Sequence, residues 1–209
     1  MEPLGGRMDS IDICNMAIGF VGGSSITSLV DETLEAEQCG RYYDIARKFC
    51  LEGRDWTFAA RTQRLAPEAV PLSSEFSNSF VLPVDCLVVR VVAYDPELKR
   101  GAVYQKNENR ILANSSVLYV KFTQDVTNTT RFSPSFTTAV AHKLAEFLAP
   151  VLTGDKNMKR TLMQESEYLV DTGGAIDGMQ GSPKRVFASR LLGARFGRGS
   201  RYGLGSTLE

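Results

Sequence analysis

Between Ser133 and Leu152 the sequence SPSFTTAVAHKLAEFLAPVL is apolar on more than one helical face. Phe136, Val140, Leu144, Phe147/Leu148 and Val151 recur at three- and four-residue spacing. Ala141, Ala145, Leu148 and Leu152 form a second stripe beside the first. Ser133 followed by Pro134 marks the start: a hydroxyl caps the first turn, and a proline sits where no backbone N–H is needed. Pro150 would cost about 3 kcal/mol in a helix interior, so a kink or the last turn is expected there. A helix this widely apolar, with alanines along one flank, has to pack against several neighbours. The rest of the chain must supply them.

Three further segments have helical spacing. The first starts at Asp9 or Ser10 as N-cap, carries Ile11, Cys14, Ala17/Ile18 and Val21, and ends at Gly22-Gly23. After the loop GGSSITSLV, a second runs from about Asp31 to Leu51 with the stripe Cys39, Tyr42, Ala46, Phe49 and Gly53, and Gly53 is expected to stop it. The last follows Thr153-Gly154-Asp155, carries Met158, Leu162 and Leu169, and runs to about Met179. Between the second and third helices the period changes from 3.6 to 2. Leu87, Val89, Val91 and Ala93 alternate with their neighbours, and AVYQ, RILA and VLYVKFT follow, separated by the turn-formers KNEN and NSS. A small antiparallel meander is expected, with Pro83 and Pro96 bracketing its first long strand.

The only tryptophan, Trp56, sits where the period changes. A large rigid side chain there can bury about 150–250 Å² and lock the two parts together, with Phe58, Phe136, Leu144 and Leu148 as the other structural anchors. A recognition role for Trp56 is the alternative. The pattern predicts an α+β fold: a four-helix bundle with an inserted small antiparallel β domain and an extended C-terminal arm. The expected divisions are an N-terminal extension over 1–8, a first helix pair over 9–66, the β insertion over 67–132, a second helix pair over 133–182 and the arm over 183–209.

Nothing in the sequence nominates a catalytic centre, a cofactor site or a metal site. The one histidine, His142, lies off the main apolar stripe beside Lys143, with no nucleophile-elbow or Cys–His signature, and is expected at a surface or interface. GFVGGSS follows a helix and lacks phosphate-loop spacing. Asp85, Asp95, Glu97, Asp125 and Asp155 show no spacing that forces two carboxylates together. Four cysteines, Cys14, Cys39, Cys50 and Cys86, lie far apart without a CxxC pair, which favours reduced, buried thiols made in a cytosol. MEPLGGRMDS lacks the apolar core of a secretory leader, and no apolar run approaches the ~18 residues of a membrane span.

Net charge is zero, with 24 basic and 24 acidic residues, but the charges are segregated. After Pro183 there are six basic residues and one acid, leaving 18 basic against 23 acidic over residues 1–182. The arm interleaves Lys184, Arg185, Arg190, Arg195, Arg198 and Arg201 with Phe187, Leu191, Phe196 and Tyr202. Solvating tails seldom carry so many apolar groups. Arginines and aromatics at intervals suit an arm that orders on docking to another protein, or a contact with nucleic acid.

Three stretches taken together, GRDWTFAARTQRLAP, FVLPVDCLVVRVV and LYVKFTQDVTNTTRFSPSFTTAVAHKLAEFLAPVLTGDKNMKRTLMQESEYLVDTGGAIDGMQGSP, resemble the tail tubular protein A family of tailed bacteriophages. The likeness spans residues 8–182 in order. Its best-matching parts are Trp56-Thr57-Phe58, Leu82-Pro83-x-Asp85, and Phe136 through Ala149 followed by Leu152-Thr153. The tail after Pro183 matches no family motif. The resemblance implies a structural virion protein, not an enzyme. It would be a head-to-tail adaptor, or connector, that assembles as a dodecameric ring beneath the portal and carries the DNA channel used in genome ejection. The implied partners are further copies of the chain, the portal protein, a tail nozzle or tail tube protein, and double-stranded DNA passing through the lumen, with no membrane. The implied location is the head–tail interface of the virion, after synthesis in the bacterial cytoplasm. The arm would reach the portal. Two other readings stay open: a nucleic-acid-binding packaging or assembly module using the basic arm, and a hydrolase using carboxylates that the sequence does not identify.

Overall fold

Helices begin where a short polar side chain replaces the acceptor that the first backbone N–H groups lack. In the computed structural model, which describes residues 8–68 and 75–180, α1 (Ser10–Val21) opens with a reciprocal box. Asp12 N donates to Asp9 Oδ1 and Asp9 N to Asp12 Oδ2, both at 2.9 Å. Thr33 caps α2 (Leu34–Gly53), and Ser133 caps α3 (Pro134–Leu152) with Pro134 in the first turn. Asp155 accepts from Asn157 N at 2.7 Å and Met158 N at 3.2 Å at the head of α4 (Lys156–Gln180). Gly22, at φ 76°, closes α1 in the left-handed region open to glycine. Pro150 falls in the last turn of α3.

The end of α2 departs from expectation. Gly53 stays helical and Arg54 is extended, so no left-handed glycine stops this helix. Instead the Arg90 guanidinium, through Nη2, donates to the carbonyls of Leu51 at 3.2 Å, Glu52 at 2.9 Å and Arg54 at 2.7 Å. Its Nε is held by Thr123 Oγ1 at 2.8 Å. A strand residue thus caps a helix, placing a cation where the helix dipole favours one. Arg90→Met, which keeps the stem and removes the donors, should lower stability by about 2 kcal/mol, read from the midpoint shift in urea denaturation.

Between α2 and α3 lie six strands: β1 (Ala60–Leu65), β2 (Asn78–Val81), β3 (Cys86–Ala93), β4 (Tyr104–Asn107), β5 (Arg110–Ala113) and β6 (Leu118–Gln124). They form two antiparallel three-stranded sheets ordered β1-β6-β3 and β2-β5-β4, where a single meander was expected. β5 and β6 are adjacent in sequence yet belong to different sheets. Leu65, Phe80, Val92, Ile111, Leu118 and Phe122, drawn from both sheets, share one apolar core. β3 changes register against β6 between Cys86 and Val88 and again between Val89 and Val91. These bulges put Val92 and Ala93 side by side in the buried class, so strict alternation fails along this strand.

The expected four-helix bundle with an inserted β domain is therefore corrected. The α+β class holds, but the extensive helix–helix packing all involves α3, which meets α1, α2 and α4; α1 with α2 and α2 with α4 touch only locally. The physical reason is the distribution of apolar surface. Along α3, Phe136, Ala139, Val140, Ala141, Leu144, Ala145, Leu148 and Ala149 are all buried, whereas the other three helices each bring one buried face. Three helices gather around one apolar rod. Nor do the sheets stand apart as an insertion. β3 packs on α2, and Arg47 of α2, 1% exposed, pairs with Asp125 just past β6 and donates to Val126 O at 2.8 Å. Lys121 of β6 pairs with Asp55, and Arg131 donates to Phe58 O. β1 also begins before residue 67, where the β segment was expected to start. The arm, 183–209, lies outside the described residues.

Candidate functional site

Trp56 lies at the meeting point of α2, α3 and α4. Its side chain is fully buried, and Nε1 donates to Cys50 O at 2.8 Å, tying the indole to the last turn of α2. Phe136 of α3 presents its edge at 5.0 Å between ring centroids. Phe58 and Phe132 extend the aromatic row through further contacts with Phe136 at 5.0 and 4.8 Å. From the other side comes Gly173 of α4. A Cβ there would stand 2.9 Å from the Ser135 Cβ and 3.2 Å from the indole, so only glycine lets α4 close on this spot. Thr57 Oγ1 donates to Asp177 Oδ1 at 3.0 Å and Arg54 Nη2 to Asp171 Oδ1 at 2.7 Å, so the turn 54–57 is held along the second half of α4. Leu144 and Leu148 are fully buried farther along α3, and Phe58 is partly buried.

Above this junction the start of α3 and the second half of α4 leave an open cleft of about 300 Å³, lined by Pro134, Ser135, Thr138, Leu169, Thr172 and Ile176. Beside it α4 exposes Tyr168, Ile176 and Met179. A second set of uncovered apolar groups, Ile45 and Phe49 of α2 and Val151 of α3, lies on the helical layer. Under Phe49 lies a feature that sequence reading missed. Lys143 and Glu146 are each 5% exposed and pair at 2.7 Å, and the ammonium sits 3.9 Å from the centre of the Phe49 ring. Their i,i+3 spacing in the middle of an alanine-rich apolar stretch was the available signal.

Among the described residues the titratable groups that follow each have a structural setting. His142, expected at a surface or interface, has a side chain 16% exposed, and its ring lies tilted against Phe20 with centroids 4.2 Å apart. Burial lowers its pKa against the opposing pull of Glu165, whose carboxylate lies 3.4 Å from Nδ1 but too poorly aligned for a hydrogen bond. Cys14 and Cys39 are buried and face each other across α1 and α2; the thiol hydrogen bond to Cys39 and then burial raise the Cys14 pKa. Burial pushes the Cys50 thiol up to about 12, so it is not a thiolate near neutrality. Cys86 is half-buried, and burial raises its pKa too. Asp85 accepts from Gln124 and Asp125 holds Arg47, so each has a structural task. Among the described residues no cluster of three or more His, Cys, Asp or Glu is placed to hold a metal ion, and no helix is long and apolar enough to cross a membrane.

The arm residues Lys184, Arg185, Phe187, Arg190, Leu191, Arg195, Phe196, Arg198, Arg201 and Tyr202 lie outside the described residues. No protein-family model matches the sequence, and no curated protein matches it either.

Proposed function

We propose that this chain is a structural subunit repeated as a ring between the portal of a phage head and the tail, with DNA passing through the lumen. The observation that carries the reading is the uncovered apolar surface of the helical layer. Ile45 is 52% exposed, Tyr168 68% and Met179 83%, a cost that is offset when a neighbouring copy covers them. The ordered sequence resemblance over residues 8–182 points the same way. In this reading the helices make the contacts around the ring, and the sheets face the tail or neighbouring copies. The arm, through Arg185, Phe187, Arg190, Leu191, Arg195, Phe196, Arg198 and Tyr202, docks to the portal. Residues 1–182 carry more acids than bases, which suits a conduit that must not grip phosphates. The protein's place in the virion, and its lack of a catalytic task, belong to this proposal.

Electron microscopy of the protein mixed with portal tests it: a closed ring on the portal is the expected result, and single unassembled particles would overturn it. Deleting residues 183–209 should abolish portal capture in a pull-down. Undiminished capture would remove the docking role of the arm. Arm-dependent DNA binding that weakens steeply with salt would favour the nucleic-acid reading instead.

A further inference from the structure

The cleft at the start of α3 stands at the edge of an apolar stripe. On a helix of 3.6 residues per turn, Tyr168, Met179, Thr172, Ile176 and Leu169 fall in succession across one face of α4. Tyr168, Ile176 and Met179 are exposed, and Leu169, Thr172 and Ile176 line the cleft itself. The charge on this half of the helix has one sign. Residues 161–180 contain Glu165, Glu167, Asp171 and Asp177 and no lysine or arginine. Asp177 is buried against Thr57, Asp171 is met by Arg54, and Glu167 falls on the far side of the helix from the cleft; Glu165, half exposed and near His142, falls between Thr172 and Ile176 on the same face as the stripe. The surface thus asks for a ligand that is apolar at one or two points and cationic beside them.

The chain carries such a ligand directly after α4. Gly181-Ser182-Pro183 has residue types that in sequence favour a helix end, and Lys184-Arg185-Val186-Phe187-Ala188-Ser189-Arg190-Leu191-Leu192 follows. We propose that the cleft and stripe of α4 are the docking site of this chain's own C-terminal segment, with Phe187 seated in the cleft and Arg190 against Glu165. The proposal concerns the isolated chain and does not rest on portal binding. Reach favours the intramolecular arrangement. The cleft residue Thr172 lies about 12 Å of helix rise before Gln180, and four extended residues beyond Pro183 span about 13 Å. A cleft of about 300 Å³ has room for an aromatic ring. A short tether also presents the segment at an effective concentration in the millimolar range, so weak contacts suffice to hold it. Docked in this way, the arm covers apolar surface on the free subunit, and a partner that takes the arm uncovers α4.

Hydrogen–deuterium exchange on the full chain, at concentrations where light scattering reports a monomer, tests this. Peptides covering 184–192 and 168–179 should both exchange about tenfold more slowly than the same sequences in an unstructured chain. Ile176→Asp, at an exposed position, should release 184–192, and Phe187→Ser should release 168–179. Raising salt should shrink the protection while dilution leaves it unchanged. Exchange of 184–192 at the unstructured rate in the unmodified protein would overturn the proposal. So would protection indifferent to Ile176→Asp, or protection lost on dilution, since a second copy would then be supplying the segment.

Discussion

Replacing Trp56 by alanine is expected to cost about 4 kcal/mol, within the range found for deleting a fully buried large aromatic side chain. Two losses combine. The indole fills the space between the end of α2, Phe136 of α3 and Gly173 of α4, so its removal leaves a void. The Cys50 carbonyl also loses the N–H that reaches it at 2.8 Å, in a place closed to water. Domains of this kind are stable by only about 5–15 kcal/mol, so the variant should sit close to unfolding at physiological temperature. Trp56→Phe separates the two losses, because it keeps most of the volume and removes only the donor; about 1–2 kcal/mol is expected from it. Urea denaturation followed by far-ultraviolet circular dichroism is the appropriate measurement, since the substitution removes the chain's only tryptophan fluorophore. A loss for Trp56→Ala below about 1 kcal/mol would mean that the three helices hold together without this contact.

Trp56 also marks how far the sequence could be read. Its burial was legible, because a lone indole at a change of period has few other uses. So were the starts of the helices at Asp9 and Ser133 and the stop at Gly22, where the governing hydrogen bonds join residues only a few positions apart. The end of α2 was not legible. Its cap, Arg90, lies 36 residues beyond the Arg54 carbonyl it serves, and no local pattern encodes that partnership. β1 was missed for a related reason: ARTQRL has an exposed middle, so neither face carries the apolar alternation that identifies a strand. The bundle expectation failed at one step. Stripes tell which residues of a helix are buried, not which other element buries them, and α3 takes neighbours on nearly every side while sheet residues bind the end of α2. The uncovered stripe of α4 was hidden in the same way: Leu169, read only as part of the helix's apolar spacing, is partly buried at the rim of a cleft, and Ile176 and Met179 are exposed.

Lys143 and Glu146 give the second large effect. Either single replacement, Lys143→Met or Glu146→Gln, should destabilise the protein by about 3–5 kcal/mol, because each leaves the opposite charge in place without its counterion. Both side chains are about 5% exposed, so water cannot replace the missing partner. The lysine variant also gives up the contact between the ammonium and the Phe49 ring at 3.9 Å. Lys143→Met combined with Glu146→Leu should recover most of the loss, since it removes both desolvation costs while keeping volume, and a double-mutant cycle with the singles should show a coupling of at least about 2 kcal/mol. The same pair explains why Phe49 stays 44% exposed on α2: its ring roofs a buried cation. If a neighbouring copy covers Phe49 in a ring, the pair becomes still drier, and the single variants should weaken assembly more than they weaken the lone subunit. A double variant as unstable as either single would show instead that the side chains matter here through their packing and not through their charge.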